Sequence, residues 1–147
     1  MRENRDEIII QAPSEEVWDV LTNLTKHAEW NPLIYRAEGK IKLGAKVRLS
    51  AKSGSIDMNY KCLVVYVNPN REFQWKWHIV FPFLFRGEHT FTIEPTDDKS
   101  IRFINVEIFK GLLVPFLTKF LATDGKDSMV AMDKALKDRV EHSRISA

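Results

Sequence analysis

Between Phe73 and Ile93 every odd position is Phe, Trp or Ile, except Gly87 and His89. The even positions carry Gln, Lys, His, Val, Pro, Leu, Arg, Glu and Thr. A period of two marks β-strand with one apolar face. At about 3.3 Å per residue the whole stretch would span roughly 70 Å, too long for one strand in a chain of this size. It must fold back, and Pro82 and Gly87 bracket the expected turn around 81–86. Opposed residues of an antiparallel pair share a face, so odd positions face odd ones: Trp77 with His89, and Trp75 with Phe91. A slip of one residue would turn one arm's rings into solvent. With a second turn at Pro95–Lys99, Ile93 faces Ile101, Phe91 faces Phe103 and His89 faces Asn105, with Glu107 diagonal to His89.

The rest of the chain supplies a frame for this hairpin. "EIIIQ" reads as a short first strand. "APSEEVWDVLTNL" reads as a helix with Pro13 in its first turn, two Glu residues at its positive end, and Val17, Val20, Leu21 and Leu24 on one stripe. Asn31-Pro32 breaks it. "KVRLSAKS", "DMNYKCLVVYV", "REFQWKWHIV", "GEHTFTIE" and "SIRFINVEIF" read as strands separated by Gly, Asn-Pro-Asn and Pro-Thr-Asp-Asp clusters, and their short links predict an antiparallel meander. From Leu112 to Ser143 the period lengthens: Leu117, Leu121, Met129, Met132, Leu136 and Val140 share one face of a long helix. Gly125 interrupts it, marking a bend or a close approach to the backbone. The expected fold class is α+β: a curved antiparallel sheet wrapped around a long C-terminal helix, with two short helices after the first strand, in one domain spanning 1–147.

Composition narrows the function classes. Of 147 residues 44% are apolar and 29% charged, a globular balance. A net charge of +2, evenly spread along the chain, argues against nucleic acid as partner. The single cysteine, Cys62, excludes an internal disulfide and a Cys-based metal cluster, and its apolar setting predicts an inert buried thiol. No His/Asp/Glu spacing suggests a metal, and no cofactor is expected. No stretch reads as a signal peptide or as a membrane span, so the expected setting is cytoplasmic, without stable membrane insertion. His27 and His142 read as solvated helix-end residues, His78 as outward-facing, and "KSGS" as a turn.

The chemistry concentrates where His89, Asn105 and Glu107 project into an aromatic interior. A buried carboxylate costs several kcal/mol unless paired, which a His89–Glu107 contact would relieve. Three readings stay open: a pair that only fixes strand register, the convergent polar groups of an apolar ligand pocket, or an acid–base pair. Trp75, Trp77, Phe91, Phe103, Met129 and Met132 are the expected walls, and Phe83, Phe85, Phe116 and Phe120 the expected rim of its entrance. The Phe81–Phe85 tip is alternatively a partner or membrane surface.

These segments resemble the START-like, or SRPBCC, superfamily, near its bacterial polyketide cyclase/dehydrase branch. "APSEEVWDVLTNLTKHAEWNPLI" is similar to the family's opening, "GEHTFTIEP" to its Gly-x-His-x-Phe strand, "VEIFKGLLVPFL" to the acidic–aromatic–Gly entry to its last helix, and "AMDKALKDRVE" to that helix's C-terminal half. The resemblance implies a helix-grip fold with a hydrophobic cavity. It assigns Trp30, Asn31 and Pro32 to the family's turn, His89 and Glu107 to two recurrent polar positions, and Gly111 to the start of the long helix. It implies binding of a small hydrophobic molecule or lipid, for transport or sequestration; the alternatives are a cyclase or dehydratase using His89 and Glu107, and a co-chaperone-like interaction module. Neither ligand identity nor a choice between monomer and homodimer follows.

Overall fold

The computed structural model describes residues 1–97 and 99–146, with side chains through Arg144. Seven strands form one antiparallel sheet: β1 (Arg2–Ile10), β2 (Ile34–Glu38), β3 (Lys46–Ser53), β4 (Ile56–Asn68), β5 (Glu72–Ile79), β6 (Phe85–Asp97) and β7 (Ser100–Lys110). Their order is β1-β7-β6-β5-β4-β3-β2, a meander whose first strand returns to close one edge. The register shifts between Ile34 and Arg36, between Val64 and Tyr66, and between Pro95 and Asp97. Such irregularities bend strands and sharpen twist, which curls the sheet.

Helix α1 (Ser14–Thr22) and a 3₁₀ segment (Leu24–Glu29) follow β1. The C-terminal helix has three parts: α2 (Val114–Phe120), a π-helical turn (Leu121–Gly125) and α3 (Lys126–Ser146). Met129, Met132, Leu136 and Val140 of α3 are buried, a 3.6-residue stripe lying on the concave sheet face. α1 fills the same side: the Trp18 indole meets Phe73 edge-on at 5.8 Å.

The odd residues of the two arms do share the inner face, with Phe81 and Phe83 exposed in the loop between them, but both registers differ from expectation by two residues. Trp75 lies opposite His89 and Phe73 opposite Phe91, joined by a loop at Val80–Leu84. A slip of two preserves every face, so hydrophobic pattern cannot detect it. Gly87 decides it: opposite Trp77, it leaves room that a Cβ would take from the indole. On the other side His89 faces Glu107 directly, and Phe91 faces Asn105. The difference arises because β6 runs on to Asp97, past the start of the expected turn, with a one-residue register shift between Pro95 and Asp97. The expected turn at Pro95–Lys99 includes Asp98, which lies outside the described residues.

Two strand readings need correction. β1 begins at Arg2 rather than Glu7, because Asn4 and Asp6 face inward and erase the apolar alternation. β2 was not expected, since its bulge sets the buried positions Ile34 and Ala37 three apart. His27 is buried rather than solvated. Its Nε2–H donates to Leu21 O at 2.7 Å and its Nδ1 accepts from Asn31 Nδ2 at 3.1 Å. Burial pushes its pKa down, which keeps the ring neutral. Asn31 Oδ1 then accepts from the N–H groups of Leu33 and Ile34, pinning the Trp-Asn-Pro turn.

Candidate functional site

Two cross-strand rows build the site. One runs Trp75, His89, Glu107, Asn4 across β5, β6, β7 and β1; the next runs Phe73, Phe91, Asn105, Asp6. Each row puts rings on the central strands and polar groups toward β1. Neighbours along a row stand about 5 Å apart, close enough for side chains to meet.

The polar groups form a chain. Glu107 Oε2 accepts from His89 Nδ1 at 2.7 Å and from Trp77 Nε1 at 3.3 Å. His89 Nε2 meets Asn105 Oδ1 at 2.5 Å, and Asn105 Nδ2 donates to Asp133 Oδ1 at 2.8 Å. The His89 ring stacks on Phe91 with centroids 4.0 Å apart. Both of its nitrogens therefore face acceptor oxygens and one ring face is covered. Burial, then the Asp6 carboxylate, pushes the Asp133 carboxyl up to about 9, while Asn105's donation opposes this. Asp133 is thus protonated at neutral pH. A proton on Oδ2, which otherwise has no partner among the described residues, would be shared with Asp6.

Beside this chain lies a cavity of about 90 Å³. Its walls are Tyr60, Trp77, Phe109, Phe120, Leu121, Met129 and Met132, with Met58 and Ile56 toward the mouth. His89, Asn105 and Glu107 supply its polar end, and Asn4 lies beside them. Burial raises the Tyr60 hydroxyl well above its ordinary value, with Cys62 and Glu107 adding to it. The Cys62 thiol is pushed up for the same reason, first by burial and then by Glu107. That thiol is buried and unreactive by character.

The mouth is closed by the β3–β4 tip. Ser53 Oγ donates to Asp124 O at 3.0 Å and lies 2.8 Å from Ser128 Oγ, so the tip is fastened to the π-helical turn and to α3. The π-helical turn is itself held from below, where Asn4 Nδ2 donates to Leu121 O at 2.9 Å. Gly125 lies in that turn beside the cavity; a Cβ there would make only ordinary contacts, so no close approach demands glycine.

Of the residues expected at the site, Trp77, His89, Asn105, Glu107, Phe120, Met129 and Met132 border the cavity. The others do not. Trp75, Phe91 and Phe103 are buried in the core among neighbouring rings. Phe85 is buried between Trp77 and Phe109 rather than on a rim. Phe83 and Phe116 stand exposed away from the cavity. Trp30 packs on the buried His27 ring, a structural position. Sequence reading missed Asn4, Asp6 and Asp133 because polar residues in a strand or helix are assigned to solvent. A signal for Asp133 did exist, since it falls on the apolar stripe beside Met129, Met132 and Leu136.

Residues 1–141 match the family model described as "Polyketide cyclase / dehydrase and lipid transport". Among curated proteins no sequence match was found. The fold is similar to the Zhui aromatase/cyclase of Streptomyces sp. R1128, with TM-score 0.79, 15% identity, and 95% of this chain covering 93% of that one. It is similar to a START superfamily protein of Mycobacterium smegmatis, with TM-score 0.73, 17% identity and coverage of 95% and 97%. Norcoclaurine synthase of Thalictrum flavum gives TM-score 0.73 at 15% identity, with coverage of 97% and 96%. At these identities the likeness is one of fold: a curled antiparallel sheet gripping a long C-terminal helix. Among the described residues no helix is long and apolar enough to cross a membrane, and no group of three His, Cys, Asp or Glu side chains is arranged to hold a metal ion.

Proposed function

Because the chain belongs to the polyketide cyclase/dehydrase and lipid transport family, with the START-like helix-grip fold, we propose that it binds a small apolar molecule carrying one hydrogen-bond donor, such as a phenolic hydroxyl. The observation that carries this reading is Glu107. Its Oε2 accepts from His89 and Trp77, its Oε1 has no partner among the described residues, and its side chain lines a mostly apolar cavity. A carboxylate oxygen there accepts from a ligand hydroxyl, and a charge-assisted bond is stronger than a neutral one. Trp77, Met129 and Met132 supply apolar contact, with methionine adapting to ligand shape. At about 90 Å³ the cavity is smaller than the roughly 150 Å³ that holds benzene. A ring-sized ligand therefore enters by spreading the methionines or lifting the β3–β4 tip.

The acid–base reading draws on the 2.7 Å His89–Glu107 contact and on cyclase and synthase relatives of the fold. Binding is favoured over it because His89 offers a ligand no free nitrogen: Glu107 and Asn105 hold both. His89 is then a positioning residue that orients Glu107. Titration with 4-ethylphenol and with ethylbenzene, read by tryptophan fluorescence, tests the proposal. The phenol binds about tenfold more tightly, and Glu107→Gln narrows that preference several-fold. If neither compound quenches fluorescence or raises the melting temperature, the cavity is a packing gap and the reading is wrong.

A further inference from the structure

One end of the molecule carries an apolar surface that the cavity does not use. The Val80–Leu84 loop and the turn at Gly111–Leu113 are joined by backbone hydrogen bonds, Leu112 N–H to Phe83 O and Leu113 N–H to Leu84 O, both 3.0 Å. From these tips and the first turn of α2, Val80, Phe81, Phe83, Leu112, Leu113 and Phe116 project into solvent, with Phe116 83% exposed. The Phe81 and Phe83 rings stack on each other at 5.5 Å instead of packing into the core. A contiguous exposed patch of this kind marks an interaction surface.

The fold also gathers charge at this end. On the outer sheet face His78 lies opposite Arg86, and Arg86 opposite Lys110. Arg48 and Lys61 form a like-charged pair further along. Like charges directly opposed across strands, as Arg86 and Lys110 are, are destabilising, a cost to the isolated molecule. Arg86 caps the tip itself, donating from Nη1 to Pro82 O at 3.1 Å, and Lys119 is exposed at the end of α2. Lys110 is the partly neutralised member, 3.2 Å from Glu88. Residues 73–88 and 108–123 together contain Lys76, Arg86, Lys110 and Lys119 against one acidic residue, Glu88, which lies opposite Lys76 and pairs with Lys110, so these segments carry +3 against +2 for the whole chain. This end of the molecule therefore sets net positive charge beside its apolar rings.

We propose that this end docks reversibly on an anionic lipid bilayer, with the Phe81, Phe83 and Phe116 rings entering the headgroup boundary and Arg86, Lys110 and Lys119 facing lipid phosphates. Charge complementarity selects this occupant. The rings stand on loop tips rather than line a groove, and a bilayer accepts such a knob without matching its shape. The proposal does not depend on what the cavity takes.

Co-sedimentation of the full chain with vesicles tests it. The vesicles are phosphatidylcholine alone, or phosphatidylcholine with about 30% phosphatidylglycerol. Binding to the anionic vesicles is expected at about 0.05 M salt, and about tenfold weaker at 0.5 M salt or on the neutral vesicles. The variant carrying Phe81→Ser, Phe83→Ser and Phe116→Ser loses at least about tenfold in partitioning. Circular dichroism verifies its fold, and Phe116→Ser alone, at the most exposed ring, carries the test if the triple variant does not fold. Absence of vesicle binding at low salt, or equal binding by the variants, overturns the proposal. So does a concentration-dependent dimer that vesicles leave intact and the variants abolish, which would assign the face to a second copy.

Discussion

Asp133 and His27 are two buried titratable side chains whose pKa values move in opposite senses, and each tilts stability with pH in its own direction. Asp133 titrates near 3.8 when unfolded and about 9 when folded, so the folded chain keeps a proton that the unfolded chain releases. Its contribution is complete below the unfolded value and is lost as pH rises toward 9. Asp133→Asn should remove that slope and raise stability near neutral pH by on the order of 3 kcal/mol, visible in thermal melts from about pH 5 to 8. An unchanged slope would mean that the proton is not on Asp133. His27 has its folded pKa below 6.5, so its contribution is present above that value and declines as pH falls through it. His27→Gln, able to donate to Leu21 O and accept from Asn31, should flatten the acid limb of the melting profile while leaving the alkaline limb unchanged. His27 gave no sign of its burial, and Asp133 only its place on the apolar stripe. Asp133 depends on partners far away in sequence, Asn105 and Asp6, of which a local pattern contains no record, whereas His27 is held by its near neighbours Leu21 and Asn31 in a turn without regular periodicity.

The elements were easier to read than their pairing. β3 and β7 begin where alternation and turn residues put them, and the stripe from Leu121 to Val140 identifies the long helix. Strand register was legible only modulo two residues, since both slips keep every ring inside. For β5 and β6 the decisive information was steric, a missing Cβ at Gly87 beneath Trp77. The β3–β4 tip was correctly read as a turn, but its sequence gave no hint that Ser53 fastens it to the C-terminal helix. That contact predicts a kinetic effect. Ser53→Ala should cost about 1 kcal/mol in urea unfolding. It should also speed association of 4-ethylphenol in stopped-flow fluorescence, because lifting the tip opens the mouth. Association at the wild-type rate would mean that ligands enter elsewhere.

Across the whole molecule the concave side is divided. Toward α1 it is packed solid, with Phe73, Phe91, Phe103 and Leu136 at 1% exposure or less. Toward α2 it holds the cavity. Sequence pattern assigned all the inner rings to one face but could not say which part of that face a helix would fill. Trp75, Phe91 and Phe103 therefore read as cavity wall when they are core. The division sets an energetic contrast. Phe103→Ala creates a void in solid packing and should cost about 4 kcal/mol. Met129→Ala enlarges space that already exists; it should cost about 2 kcal/mol and allow larger phenols to bind. Chemical denaturation with and without ligand measures both, and equal costs would contradict the division.

The π-helical turn at Leu121–Gly125 holds one residue more than an α-helix of the same rise would. In an α-helix each residue advances the phase by about 100°. α2 and α3 are thus set at a rotational offset that a deletion within the turn would cancel in one step. The rows of the sheet hold α3 in place, so the rotation would fall on α2. Phe120 would swing off the cavity wall, Leu121 O, which accepts from both Lys126 N–H and Asn4 Nδ2, would turn away from Asn4, and Phe116 would point along a different azimuth. One inserted residue therefore works as a phase shifter between a rotor fixed to the sheet and a rotor facing outward.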